Sequence, residues 1–322
     1  MNKIKKVLMI VGCTIMYSMF AIGSGSSGAG ETTANKVGET ENHENYSDIS
    51  GSENTEIKAE YVVGDTLSVD GLSITYVSSC DYISDNQFIQ PADGNKFIRL
   101  YFYVDNQSGM DQSVSVYNFA CYADGYDCEL SYQDDDLSGT VSNGRSTDGA
   151  VYFEIPVDAV EVEVEYELDW ITSEKAKFIF EGDKESGLVF EKNTSVSENA
   201  FHIGDIIETN KLRIVYNNAA EYKSDNMFLQ PNEGMKYVYI ELEVENLSDT
   251  DQSISYFSFN CYADGSACDG FYGMDDALSA ELSAGRKAKG TVAFEVPKDA
   301  QTIEIEFEDN LWTNSKIVFL YE

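Results

Sequence analysis

The chain has 322 residues, 57 acidic and 21 basic, and a formal charge of −36. That length allows about two domains of ordinary size. So acidic a surface excludes a nucleic-acid or anionic-lipid binder, which needs lysine and arginine to displace counterions from phosphate; it favours solubility and attracts cations or basic partners.

The first 23 residues read as an export signal. Lys3, Lys5 and Lys6 precede an apolar stretch over 7–22, and Ala21-Ile22-Gly23 puts small residues before Ser24. The stretch is short for a membrane span, which needs about 20 apolar residues. A lipobox competes: Ile10-Val11-Gly12-Cys13 fits by residue type, although Cys13 stands early, and Ala21 to Ser24 resembles a second lipobox with serine in the cysteine position. The expected address is secreted or cell-surface, with membrane attachment only through this N-terminal signal or a lipid anchor. Residues 24–56 are rich in Gly, Ser, Thr, Asn and Glu and bury too little apolar surface to order themselves, so they form a disordered linker.

Beyond the linker the chain repeats itself. Asn86-Gln87-Phe88-Ile89-Gln90-Pro91 recurs as Asn226-Met227-Phe228-Leu229-Gln230-Pro231, and Cys121-Tyr122-Ala123-Asp124-Gly125 recurs unchanged from Cys261, both 140 residues on. Phe153-Glu154-Ile155-Pro156 returns as Phe294-Glu295-Val296-Pro297, and Trp170 pairs with Trp312 as a core anchor. The organisation expected is a first domain over 57–181, a polar linker with some interdomain mobility over 182–199, and a second domain over 200–322.

Within each copy the apolar period is two. Ile98, Leu100, Phe102 and Val104 alternate with Arg99, Tyr101 and Tyr103, and Val238, Ile240, Leu242 and Val244 do so in the second copy. Val162, Val164, Tyr166 and Leu168 alternate with glutamates, as do Ile303, Ile305 and Phe307 against Glu304, Glu306 and Glu308. One face enters a core and the other meets water, the mark of half-exposed antiparallel sheet. Asp70-Gly71, Asp124-Gly125 and Asp264-Gly265 mark hairpin turns. About seven or eight strands per copy and no amphipathic helix predict an all-β chain of two tandem β-sandwiches.

Cys121 and Cys128 bracket one turn, and Cys261 and Cys268 its counterpart, so each pair is a disulfide candidate across a hairpin or, failing that, a pair of buried thiols. Cys80 aligns with Ala220 and is expected to act as a small buried apolar residue.

The order of motifs resembles a known family. Val63-Gly64-Asp65, Pro91 to Lys96, Asn106, Phe119, Asp124-Gly125, Gly144-Arg145 and Phe153 to Ala159 return as Ile203-Gly204-Asp205, Pro231 to Gly234, Asn246, Phe259, Gly285-Arg286 and Phe294 to Ala300. This is similar to the bacterial domain-of-unknown-function family 4352, which looks like the telokin-like, immunoprotective extracellular antigen group. The resemblance implies immunoglobulin-like sandwiches in exported or lipid-anchored proteins, and carries no catalytic residues.

Chemistry-bearing constellations are few. His43 and His202 are the sole histidines, so the first domain lacks a nucleophile–histidine pair, and no phosphate loop or metal-protease motif occurs. Asp134, Asp135 and Asp136, with Asp275 and Asp276 in the second copy, are a candidate Ca²⁺ loop beside Asp124 and Asp127 or Asp264 and Asp269, although a solvated loop explains them as well. Tyr101, Tyr103 and Tyr239 are expected to face outward, as a platform for a glycan or protein or as ordinary cross-strand pairs. The functional expectation is a non-catalytic binding protein of the bacterial cell exterior, requiring no cofactor, its ligand a protein or glycan, its two copies allowing avidity. The alternatives are a Ca²⁺-stabilised spacer and a carbohydrate-binding module.

Overall fold

The computed structural model describes Lys58 and residues 60–169, 174–308 and 316–322. The signal, the N-terminal linker, Cys13, His43, Trp170 and Trp312 lie outside the described residues. The first copy contains β1 (Thr66–Val69), β2 (Leu72–Tyr82), β3 (Asn95–Asn106), β4 (Gln112–Ser115), β5 (Phe119–Ala123), β6 (Tyr126–Ser131), β7 (Ser138–Val141), β8 (Arg145–Pro156), β9 (Val162–Asp169) and β10 (Glu174–Ile179). A two-residue β11 (Lys184–Glu185) follows in the linker. The second copy repeats the order as β12 (Ile206–Glu208), β13 (Leu212–Tyr222), β14 (Met235–Asn246), β15 (Gln252–Ser255), β16 (Phe259–Ala263), β17 (Ser266–Cys268), β18 (Ser279–Leu282), β19 (Lys287–Pro297), β20 (Ile303–Glu308) and β21 (Lys316–Leu320). The excess over the seven or eight expected strands comes from short ones, such as the flanking pairs β4–β7 and β15–β18.

Each copy is an antiparallel sandwich. One layer of the first runs β1-β2-β3-β8, the other β5-β9-β10, and β6 belongs to both: Cys128 to Tyr126 pair with β5, while Glu129 to Ser131 pair with β8. The second copy has β12-β13-β14-β19 facing β17-β16-β20-β21. Its β17 is shorter, so only an isolated bridge, Gly270 to Phe294, reaches β19.

The period-two reading places the cores. Ile98, Leu100, Phe102 and Val104 on β3 are fully buried, as are Val238, Ile240, Leu242 and Val244 on β14. In the first core Phe102 sits among aromatic rings, with centroids 5.2 Å from Tyr76, 5.0 Å from Phe119 and 5.0 Å from Phe178. The Asp-Gly turns form as read: Asp70, Asp124 and Asp264 take φ of 49°, 49° and 50°, followed by glycines at 83°, 82° and 87°. Positive φ at both central residues makes type I′ turns, whose twist matches the flanking strands.

Two expectations change. Glu304 and Glu306 do not meet water but are 1% and 5% exposed, because the first sandwich covers that face of β20 and supplies a guanidinium. Nor does the linker read as a loose hinge. β11 pairs with Ser78 and Ser79 of β2, Phe190 stacks on Tyr103 at 3.9 Å, and the Asn193 amide donates to the Asp264 carbonyl at 2.8 Å. The described residues cluster as one compact unit.

Candidate functional site

The three outward tyrosines do not share one open face. Tyr103 lies under Phe190, Tyr239 is half-buried on β14 of the other sandwich, and Tyr101 is half-buried beside Arg99. The Arg99 guanidinium sits 4.4 Å from the centre of the Tyr101 ring, pairs with Asp135 at 2.7 Å and donates to the Tyr152 hydroxyl at 2.8 Å. The Tyr101 hydroxyl in turn donates to Asp148.

The acidic residues are dispersed into separate tasks. Asp135 holds Arg99 and accepts from the Tyr152 hydroxyl, and Asp136 accepts from the Gln133 amide at 3.1 Å. Asp276 accepts from Thr291 Oγ1 at 2.9 Å, and Asp134 and Asp275 are exposed. Asp124 caps the Val160 and Glu161 amides, and Asp264 does the same for Gln301 and Thr302. Among the described residues no three or more His, Cys, Asp or Glu side chains converge as a metal set.

The register sets Cys121 opposite Cys128 and Cys261 opposite Cys268. In the structure all four, and Cys80, are free thiols. Cys121 and Cys261 are buried, which pushes both thiols well up and makes them poor nucleophiles; Cys80 is half-buried rather than buried. His202 stands at the surface, its Nδ1 2.6 Å from Glu322.

What the fold does assemble is a cleft of about 750 Å³ between the two sandwiches, within the usual range for ligand sites. Six of its lining residues are Asp or Glu and none is Lys, Arg or His: Asp134, Asp135, Asp136 and Asp148 from the first copy, Asp269 and Glu295 from the second. Burial, opposed by the Gln133 amide and reinforced by Asp135 and Asp134, pushes the Asp136 carboxyl above its ordinary range.

One wall is aromatic. Tyr256 and Phe257 enter on a 3₁₀ turn capped by Ser255. Together with Tyr272 they cluster at ring distances of 4.3, 5.2 and 5.4 Å, yet Phe257 and Tyr272 remain 69% and 60% exposed. The first copy carries a related pair 140 residues earlier, Tyr117 and Tyr132, also exposed. That shared offset is the signal by which these rings could have been found in the sequence.

A charged clamp joins the two sandwiches. Arg145 Nη2 donates to Glu304 at 2.7 Å and its Nε to Glu306 at 3.0 Å, with the guanidinium 4.9 Å from the centre of the Tyr262 ring. Tyr262 accepts from the Ser142 amide at 2.9 Å and donates to the Thr140 carbonyl at 3.0 Å. Lys316 bridges Asp111 at 2.7 Å and Glu306 at 3.1 Å. Burial works against the charge on Glu304, but the Ser197 amide and Arg145 outweigh it and hold the carboxyl below its ordinary range.

With this geometry in place, comparison with known proteins is direct. The family described as a domain of unknown function, DUF4352, matches residues 61–177 and again 201–317. The chain belongs to that family. In the first DUF4352 copy Arg145 supplies the clamp. Solved structures similar to part of the chain include the yjhA protein of Bacillus subtilis, at 12% identity, TM-score 0.30, covering 38% of this chain and 98% of that one. An uncharacterized β-sandwich protein of Clostridium difficile 630 matches at 13% identity and TM-score 0.27, covering 40% and 98%. MPT63, a secreted protein of Mycobacterium tuberculosis, matches at 14% and 0.29, covering 39% and 98%. The chain spans 38% of the ycdA protein of Bacillus subtilis, at 10% identity and TM-score 0.32, with 36% of this chain covered. No curated protein matches. Among the described residues no helix is long and apolar enough to cross a membrane.

Proposed function

We propose that this DUF4352 chain is an exported, non-catalytic binding protein whose interdomain cleft takes a cationic ligand, a lysine- or arginine-rich segment of another protein at the cell exterior. The supporting observation is the cleft lining itself: six carboxylates and no basic side chain, beside three clustered rings of which two stand largely in water. An ammonium or guanidinium entering there gains from the ring faces and from the carboxylates, of which only Asp135 is already ion-paired among the described residues, with Arg99. A net charge of −36 steers such a partner from a distance. The lysine-bounded apolar run at the N-terminus supports export.

A lysine-rich peptide should bind by calorimetry with an affinity that falls steeply with salt. Tyr272→Ala and Asp134→Asn should each weaken it by about tenfold or more. A neutral glycan that raises the melting midpoint while the peptide does not would make this a carbohydrate-binding module instead. A calcium-dependent rise abolished by Asp135→Asn and Asp275→Asn would restore the spacer reading.

Export also bears on the hairpin thiols. Opposed residues in antiparallel strands have Cα atoms about 4.5–5.5 Å apart, inside the disulfide window. Oxidation of each pair is expected to add about 2–3 kcal/mol. Melting with and without reductant checks this: an unchanged midpoint, with all five thiols of the secreted protein titratable (Cys80 and the two pairs), would exclude it.

A further inference from the structure

The interdomain clamp is made by one face of the first copy and a different face of the second. Because the copies are homologous, each face has a counterpart that the clamp leaves unused. The donor face carries Ser142, Arg145 and Asp111; its counterparts Ser283, Arg286 and Asp251 in the second copy are all exposed. Among the described residues Arg286 makes no ion pair.

The acceptor face is Tyr262, Glu304, Glu306 and Lys316, and its counterparts are Tyr122, Glu163, Glu165 and Lys175. The two faces share one register: Tyr262 is opposite Glu304 and Asn260 opposite Glu306, as Tyr122 is opposite Glu163 and Ala120 opposite Glu165. Even the lysine is retained, with Lys175 on Glu165 at 2.6 Å as Lys316 is on Glu306 at 3.1 Å.

We propose that the second sandwich of one molecule docks, through Arg286, onto the Tyr122–Glu163–Glu165 face of a second copy of this chain, repeating between molecules the contact made within each. This surface is separate from the cleft, and the proposal stands whatever the cleft binds. Each molecule then has one donor end and one acceptor end, so the contact is heterologous and extends head to tail unless its rotation closes a ring.

The sequence also sets the strength. Lys177 holds Glu163 at 2.7 Å, whereas Val318 at the corresponding position leaves Arg145 as the only cation on Glu304 among the described residues. An incoming Arg286 must therefore share Glu163 with a lysine already in place. The linker bonds of Asn193 and Ser197, which support the internal contact, have no counterpart from a separate molecule. Within a chain the linker supplies an effective concentration of about millimolar, so the same contact between chains needs comparable protein concentrations. At physiological salt the Debye length of about 8 Å screens the general repulsion of two acidic chains but not ion pairs in contact.

The experiment is sedimentation of the full secreted chain over a concentration series up to about millimolar, at physiological salt. The weight-average mass should rise with concentration. Arg286→Glu should abolish the rise, and so should Glu163→Arg with Glu165→Arg. A mixture of the two variants should regain it, because each retains the face the other has lost. Melting curves confirm that both variants fold. A wild type that stays monomeric throughout, or variants that associate as the wild type does, would overturn the proposal.

Discussion

Arg145→Ala is expected to cost about 3–5 kcal/mol, because it strands Glu304 and Glu306 in a buried interface without their guanidinium partner. The loss falls on the interface and not on either core, so calorimetry should resolve a coupled unfolding into two transitions. Arg145→Met combined with Glu304→Gln and Glu306→Gln removes both signs of charge and should recover most of the loss. Acid should act in the same direction as the alanine. Glu304 is held below its ordinary range when folded, so it takes up a proton less readily than in the unfolded chain. Its contribution is full at neutral pH and is lost as pH falls past about 4.3 and through the depressed folded value. An Arg145→Ala protein with one transition and an unchanged midpoint would refute the clamp.

Phe102→Ala should be comparably severe, at about 3–5 kcal/mol. Its ring is fully buried at the meeting point of Tyr76, Phe119 and Phe178, and these rings belong to both layers of the first sandwich, so the cavity has no single neighbour able to collapse into it. The second copy places Leu242 at the matching position of β14, also fully buried. Phe102→Leu should therefore cost well under half as much as the alanine. Urea denaturation followed by near-ultraviolet circular dichroism measures both, and a loss below about 1 kcal/mol for Phe102→Ala would mean that this cluster repacks freely.

The fold was legible because its signals are local and repeated. Alternation places Ile98 to Val104 and Val238 to Val244 inside, and Asp-Gly at three positions requires the positive φ that the turns display. The site was much less so. Tyr101 and the Asp134–Asp136 run were singled out, but their roles depend on Arg99, Tyr152 and Asp148, which reach them across strands. Nothing in an alternating Glu-Ile-Glu-Phe run distinguishes glutamates that meet water, such as Glu163, from those buried against another domain, such as Glu304. That difference arises from the first sandwich, whose Arg145 covers Glu304 and Glu306, and from the path of a linker whose polar composition suggests freedom. Phe257 and Tyr272 were missed because exposed aromatics leave no mark on a hydrophobic period.

The type I′ turns also set an order in time. Pairings such as Tyr61 with Phe178 close loops of more than a hundred residues, and topologies of this kind assemble in milliseconds to seconds. A two-residue hairpin closes in about 1–10 μs. The Asp124-Gly125 and Asp264-Gly265 hairpins therefore bring Cys121 to Cys128 and Cys261 to Cys268 long before either sandwich is complete. During that interval the thiols that end up buried are still open to solvent, so the oxidant available while the chain emerges, more than the one met by the finished protein, decides whether they join.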